Sequence, residues 1–133
     1  MLSQRLIEEK SLDFKGGIYH KVQIELAYNS NHIEGSQLSH EQTRYIFETN
    51  TIGFEEGTSI KVDDIIEVSN HFAAYDYLID SFQDELTEKW IKEIHTILKR
   101  VHPMQENHGF LLDTCLFAQD RFKNYLEYFR IQY

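Results

Sequence analysis

Cysteine, proline and glycine are scarce in this chain of 133 residues, which has one cysteine, one proline and six glycines. The single cysteine, Cys115, excludes a disulfide bond within the chain. No apolar run reaches the roughly 18 residues that a membrane-spanning helix needs, and the first residues lack the apolar core of a secretory signal. These absences predict a cytoplasmic protein that does not enter a membrane.

Basic residues are also outnumbered, with 13 lysines and arginines against 22 acidic residues and a formal net charge of −9. The acidic residues are spread along the chain, which disfavours nucleic acid and anionic membranes as partners. Hydrophobic residues at 41% and aromatic residues at 14% are typical of a folded protein. The length suits a single domain with one core.

Helical periodicity dominates the pattern, and no stretch alternates as a strand does. Ser39 begins an S-x-x-Q capping box, and Asp63 and Thr87 are predicted to cap later helices. The predicted helices cover about 2–14, 18–34, 40–47, 63–82, 88–98 and 111–129. Residues 51–60 place β-forming residues between glycines and predict a loop or a small hairpin. The predicted fold is all-α, a compact bundle of about six helices.

Two of these helices carry apolar residues that we expect to face the core. The expected core positions are Ile18, Val22, Leu26 and Ile33 in the second helix, and Ile65, Val68, Phe72, Tyr75, Ile79 and Phe82 in the fourth.

The end of the second predicted helix combines Ser30, Glu34 and Gly35. Residues four apart share a helix face, and glycine is the residue that most readily ends a helix in the left-handed conformation. Glu34 then lies at a helix C-terminus, where the helix dipole repels a carboxylate. A carboxylate in such a position suggests an arginine partner outside the helix. The alternative is a solvent-exposed glutamate before a helix stop.

The loop between the last two predicted helices is the other candidate for chemistry. It places His102 and Glu106 four residues apart and puts Gly109 before a helix, where backbone N–H groups can meet an anion. The alternative is a polar loop between helices. The chain has no H-E-x-x-H zinc pair and no glycine-rich phosphate loop, and Cys115 lies on an apolar helix face as a core residue would.

Several segments resemble the Fic (Fido) family, whose members transfer AMP from ATP to hydroxyl groups of target proteins. Ser30-x-x-x-Glu34-Gly35 is similar to the inhibitory helix of the branch with an N-terminal regulatory segment. Further similar segments are 44–51, 70–72 and 114–122, so that the resemblance covers most of residues 25–100 and 109–131. It implies a single Fic-like domain over 1–133, with an inhibitory segment and flap-like loop over 1–62 and a helical core remnant over 63–133.

The family's catalytic motif, H-P-F-x-D/E-G-N-G-R-x-x-R, is matched only in part. His102, Pro103, Glu106 and Gly109 agree with it, and the departures are Met104, Asn107, His108, Phe110 and Asp113. The resemblance implies that His102 is the general base, that Glu106 binds Mg²⁺, and that ATP is the cofactor. Phe110 and Asp113 stand where the family has its two arginines, so the phosphates of ATP lack their cations.

Three hypotheses follow from this partial match. The first is a Fic-family protein that is inactive in this short form. The second is a helical interaction module that regulates a full-length Fic homologue in trans through Glu34. The third is an active AMP transferase whose recorded chain lacks residues. A target protein or a Fic homologue is the expected partner, and apolar faces left by the missing middle predict a homo-oligomer.

Overall fold

Five α-helices connected by short turns and loops make up the part of the chain that the computed structural model describes, residues 1–53 and 56–100. Their bounds are Leu2–Ser11 (α1), Ile18–Ile33 (α2), His40–Thr49 (α3), Val62–Asp80 (α4) and Glu88–Leu98 (α5). No strand occurs within these residues. The all-α prediction is confirmed for them, and the sixth predicted helix, 111–129, lies outside the described residues.

Residues 51–60 form a loop wherever the structure describes them, at 51–53 and 56–60. The small hairpin that the sequence left open is not found in this described part. The described residues belong to one compact unit, Met1–Arg100.

Two of the three predicted helix caps are present. Ser39 Oγ accepts the N–H of Gln42 and the Gln42 side chain returns to the Ser39 N–H, which completes the capping box of α3. Thr87 accepts the N–H of Trp90 at the start of α5. The prediction for Asp63 was wrong, because the N-cap of α4 is Lys61, two residues earlier, and the helix begins at Val62. Asp63 instead lies in the first turn of α4, where the helix dipole still stabilises a carboxylate.

Helix α4 is the centre of the packing, since it contacts α1, α2, α3 and α5, and α2 in turn contacts α1 and α3. The core where these helices meet consists of Ala27, Leu38, Ile46 and Val68, with Ile52, Ile60, Ile65 and Phe72 packed around it. Ile94 adds a buried side chain from α5. Burial of these apolar side chains, at about 25 cal/mol per Å², is the main force that holds the helices together.

The predicted core faces are correct in the middle of the helices and wrong at their ends. In α4, Val68, Tyr75 and Ile79 are buried, but Phe82 lies beyond the last turn and is 57% exposed. In α2, Ile33 is 83% exposed. Leu26 is buried as predicted, and the buried face of α2 also includes 19, 23, 27 and 31. Position 33 lies about 200° around the helix from position 31, which places it away from that face.

Candidate functional site

The C-terminus of α2 carries the three residues that the sequence predicted as an inhibitory motif. The helix ends at Ile33, Glu34 is its C-cap, and Gly35 follows with φ +97°. The N–H of Gly35 donates to the carbonyl of His32 at 3.0 Å, and the N–H of Ser36 donates to the carbonyl of Asn31 at 2.9 Å. These two hydrogen bonds form a Schellman motif. The prediction that Gly35 ends the helix in the left-handed conformation is confirmed.

Ser30 and Glu34 are brought together by one helical turn. The N–H of Glu34 donates to the carbonyl of Ser30 at 3.3 Å, so the two residues lie one helical turn apart on the same side of the helix. Ser30 is half-buried and Glu34 is exposed. The carboxylate of Glu34 therefore lies at the surface, at the end of the helix where the dipole disfavours negative charge.

Contacts from the rest of the fold hold this helix end in place. Asn31 is buried and its side-chain amide donates to the carbonyl of Ala27 at 2.9 Å. After the turn, Asp64 Oδ2 on α4 accepts the backbone N–H of Gln37 at 3.0 Å. Leu38 then enters the core at 3% exposure. Because both sides of the turn are fixed, Glu34 is presented on a rigid support.

An aromatic and histidine cluster lies beside this helix end. The ring of Tyr28 stacks on that of His32, with centroids 5.4 Å apart, and meets the ring of His40 edge-on at 5.2 Å. His40 Nε2 lies 2.8 Å from Glu25 Oε1, which joins α3 to α2. Sequence reasoning missed this cluster, although the spacing of Tyr28 and His32 was a usable signal.

A second feature that sequence reasoning missed is a polar network between α2 and α4. Tyr19 and Gln23 are both buried, and both donate hydrogen bonds to Asp76 Oδ1, at 2.6 Å and 2.9 Å. Burial, together with the hydrogen bond to Asp76, raises the pKa of the Tyr19 hydroxyl above its ordinary value. A hydroxyl held protonated between two helices acts as a structural donor rather than as a catalytic base.

The network continues to α1 through Glu9. The Glu9 carboxylate accepts the backbone N–H of Tyr19 at 2.9 Å and pairs with Arg5 at 2.8 Å. These hydrogen bonds, first that of the Tyr19 N–H and then that of Arg5, hold the pKa of Glu9 below its ordinary value. Glu9 is thus a negatively charged group that accepts a hydrogen bond from the first turn of α2.

The predicted catalytic residues His102, Glu106 and Gly109, with Glu106 as the predicted Mg²⁺ ligand, lie outside the described residues. The same holds for Asp113 and Cys115. In the described ranges 1–53 and 56–100, no group of three or more His, Cys, Asp or Glu side chains is arranged to hold a metal ion. Nor does any helix there combine the length and the apolar character needed to cross a membrane.

Comparison with known proteins adds no family assignment. No protein-family model matches the chain, and no curated protein matches it.

Proposed function

We propose that this chain is a Fic-family protein, related to the protein adenylyltransferases, that keeps an inhibitory helix and is inactive in AMP transfer in this short form. The observation that supports the proposal is the end of α2. There Glu34 stands exposed at the turn, one helical turn after Ser30 and directly before a left-handed Gly35. An inhibitory carboxylate needs this combination of exposure and rigid placement.

The physics of the helix end explains how Glu34 would act. A carboxylate at a helix C-terminus is disfavoured by a few tenths to roughly 1 kcal/mol, so an arginine that neutralises it relieves a local penalty. An arginine and a carboxylate also form charge-assisted hydrogen bonds, which are about twice as strong as neutral ones. The rigid turn lowers the entropy cost of forming them.

The absence of AMP transfer is tested with Mg²⁺-ATP and the full chain. Isothermal titration should show no binding in the micromolar range, and intact-mass measurement after incubation should show no added AMP. The reason is that Phe110 and Asp113 occupy the positions of the two phosphate-binding arginines. Micromolar binding of ATP together with self-modification would contradict the proposal.

A second candidate function is regulation of a full-length Fic homologue in trans. The observation that favours it is the neighbourhood of Glu34, because Ile33 beside it is 83% exposed. An exposed isoleucine next to an exposed carboxylate offers a partner one apolar and one charged contact. In the resemblance to the family motif, Asp113 stands where the second arginine belongs. The arginine that pairs with Glu34 would then come from the partner.

This second function is tested by mixing the chain with an active Fic homologue and measuring AMP transfer. The chain should co-purify with the homologue and lower its activity, and both Glu34→Gly and Glu34→Gln should weaken this effect. Glu34→Gln keeps the shape of the side chain and removes only the charge. Glu41→Gln, at an exposed position on α3, is the matched control and should inhibit like the original chain. Undiminished inhibition by both Glu34 variants would rule this function out.

A further inference from the structure

A shallow groove of about 240 Å³ lies where the chain turns from α4 to α5. Its lining consists of Leu78, Ser81, Phe82, Asp84, Leu86 and Trp90. Phe82 is 57% exposed and Leu86 is 67% exposed. Two large apolar side chains therefore face solvent within one short turn, which is typical of a contact surface.

The groove is preformed, because hydrogen bonds hold its floor. The indole Nε1 of Trp90 donates to Ser81 Oγ at 2.8 Å, and Ser81 Oγ donates to the carbonyl of Tyr77 at 2.6 Å. The backbone N–H of Trp90 donates to Thr87 Oγ1 at 3.2 Å. The N–H of Asp84 donates to the carbonyl of Ser81 at 2.9 Å, which shapes the turn. A ligand thus meets a surface that needs little ordering on binding.

The rim of the groove, by which we mean Asp84 in its lining and the adjoining Glu85, is acidic and lies in an acidic stretch of the sequence. Residues 80–88 contain four acidic residues, Asp80, Asp84, Glu85 and Glu88, and no lysine or arginine. Asp80 pairs with Lys10 at 2.5 Å, and Glu88 pairs with Lys92 at 2.5 Å. Asp84 and Glu85 make no ion pair with any residue in the described part of the chain. Their negative charge is left for a cation from outside.

We propose that this groove binds a linear segment of a partner protein that combines an apolar anchor with flanking lysine or arginine residues. The anchor lies between Phe82 and Leu86 over the ring of Trp90, and the basic side chains pair with Asp84 and Glu85. Charge selects this occupant. A second copy of this chain, with a net charge of −9, and a nucleic acid are both repelled by the rim. This inference does not depend on the proposed Fic-like function.

The groove contains its own reporter, since Trp90 is the only tryptophan in the chain. The full chain is titrated with three synthetic peptides of equal length while Trp90 emission is measured. One peptide combines lysine with leucine, a second replaces the lysines by glutamates, and a third replaces the leucines by serines. We expect only the lysine–leucine peptide to give a saturable change, with an affinity that falls as salt rises.

Variants separate the two parts of the surface. The double variant Asp84→Asn/Glu85→Gln should lower the affinity about 2- to 30-fold at low salt, because two exposed ion pairs together contribute roughly 0.4–2 kcal/mol. Phe82→Ser/Leu86→Ser should abolish saturable binding. Because both apolar side chains are exposed, the fold should be preserved, and circular dichroism checks it.

Two control variants make the same types of substitution at positions away from the groove. Val62→Ser removes an apolar side chain that is 65% exposed at the opposite end of α4, about 27 Å from Asp80 along the helix. Glu41→Gln removes an exposed negative charge on α3. Both should bind the lysine–leucine peptide as the original chain does.

Three results would overturn the inference. The first is equal binding of the glutamate–leucine peptide, which would show that the rim does not select charge. The second is no saturable change of Trp90 emission with any peptide. The third is self-association that alters Trp90 emission and is lost in Phe82→Ser/Leu86→Ser, because the occupant would then be a second copy of the chain.

Discussion

The hydroxyl of Tyr19 on α2 donates a hydrogen bond to Asp76 Oδ1 on α4 at 2.6 Å, across 57 residues of sequence. The amide of Gln23 donates to the same oxygen at 2.9 Å and also reaches the carbonyl of Phe72 at 3.3 Å. Both donors are buried. Buried hydrogen bonds to a carboxylate are directional, so this network sets how α2 lies against α4.

Replacing Tyr19 by phenylalanine should lower the free energy of unfolding by about 1–3 kcal/mol, because the Asp76 carboxylate loses a charge-assisted hydrogen bond. Tyr45→Phe is the control, since Tyr45 is 48% exposed, and its effect should be near zero. Urea unfolding of both variants measures the difference. Equal stability of the two variants would show that the Tyr19 hydroxyl contributes nothing to the packing of α2 on α4.

Replacing Gly35 by alanine should lower the free energy of unfolding by about 1 kcal/mol. The cause is the backbone conformation, with φ +97°, which residues with a Cβ atom rarely adopt. A Cβ atom would meet nothing within 4 Å, so steric clash is excluded as the cause. Gly53→Ala is the matched control, because its added Cβ is also unobstructed and its φ is not positive. Thermal unfolding should show a loss for Gly35→Ala alone, and a loss of the same size in Gly53→Ala would refute the explanation.

Replacing Ser39 by alanine should lower the free energy of unfolding by about 1 kcal/mol, because the N–H of Gln42 loses its acceptor at the start of α3. Ser59→Ala, at an exposed position in the loop before α4, is the control and should have little effect. Chemical denaturation followed by circular dichroism compares the two variants. A larger loss in Ser59→Ala than in Ser39→Ala would contradict the assigned role of the capping box.

Two histidines, His71 on α4 and His95 on α5, predict a loss of stability in mild acid. Burial, and then the charge of Lys99, lower the pKa of His71 from 6.5 to about 4, and the same two causes lower the pKa of His95. The unfolded chain therefore binds protons at a higher pH than the folded chain does. The stability that the uncharged His71 contributes to the folded chain is therefore present above pH 6.5, and it is lost as the pH falls towards 4. For His71 alone the loss between pH 7 and pH 5 is about 2 kcal/mol.

The measurement is urea unfolding of the original chain and of His71→Gln at pH 7 and pH 5. Glutamine does not titrate, so the variant should lose less stability than the original chain between the two pH values. Its absolute stability at pH 7 does not enter the comparison. An identical loss in both proteins would show that His71 is not the titrating group.

Sequence reasoning succeeded where structure depends on neighbouring residues. The capping box at Ser39, the cap at Thr87 and the left-handed turn at Gly35 are each made by residues within about five positions of one another. Such contacts follow from helix geometry alone. The same reasoning failed for Asp63, because a first-turn acid and an N-cap acid differ by only one or two positions.

Burial of polar groups was not predictable in the same way. Glu9 is charged and lies on a short helix, where exposure is the ordinary expectation, yet it is 7% exposed. The reason is a contact across ten residues, the Tyr19 N–H that its carboxylate accepts. The groove beside Trp90 escaped notice for a similar cause, because only the turn between α4 and α5 brings Ser81 and Trp90 together.

The sequence by itself determined the all-α class of the described residues and the turn that places Glu34 at the end of α2. Both depend on local periodicity and on a backbone conformation that glycine adopts readily. Only the tertiary structure decided that Asp76 accepts the hydrogen bond of the Tyr19 hydroxyl and that Asp64 accepts that of the Gln37 N–H. It also decided that Ile33 is exposed. The physical reason is that these outcomes depend on how each helix is rotated against its neighbours, and that rotation is settled by the burial of all the helices together.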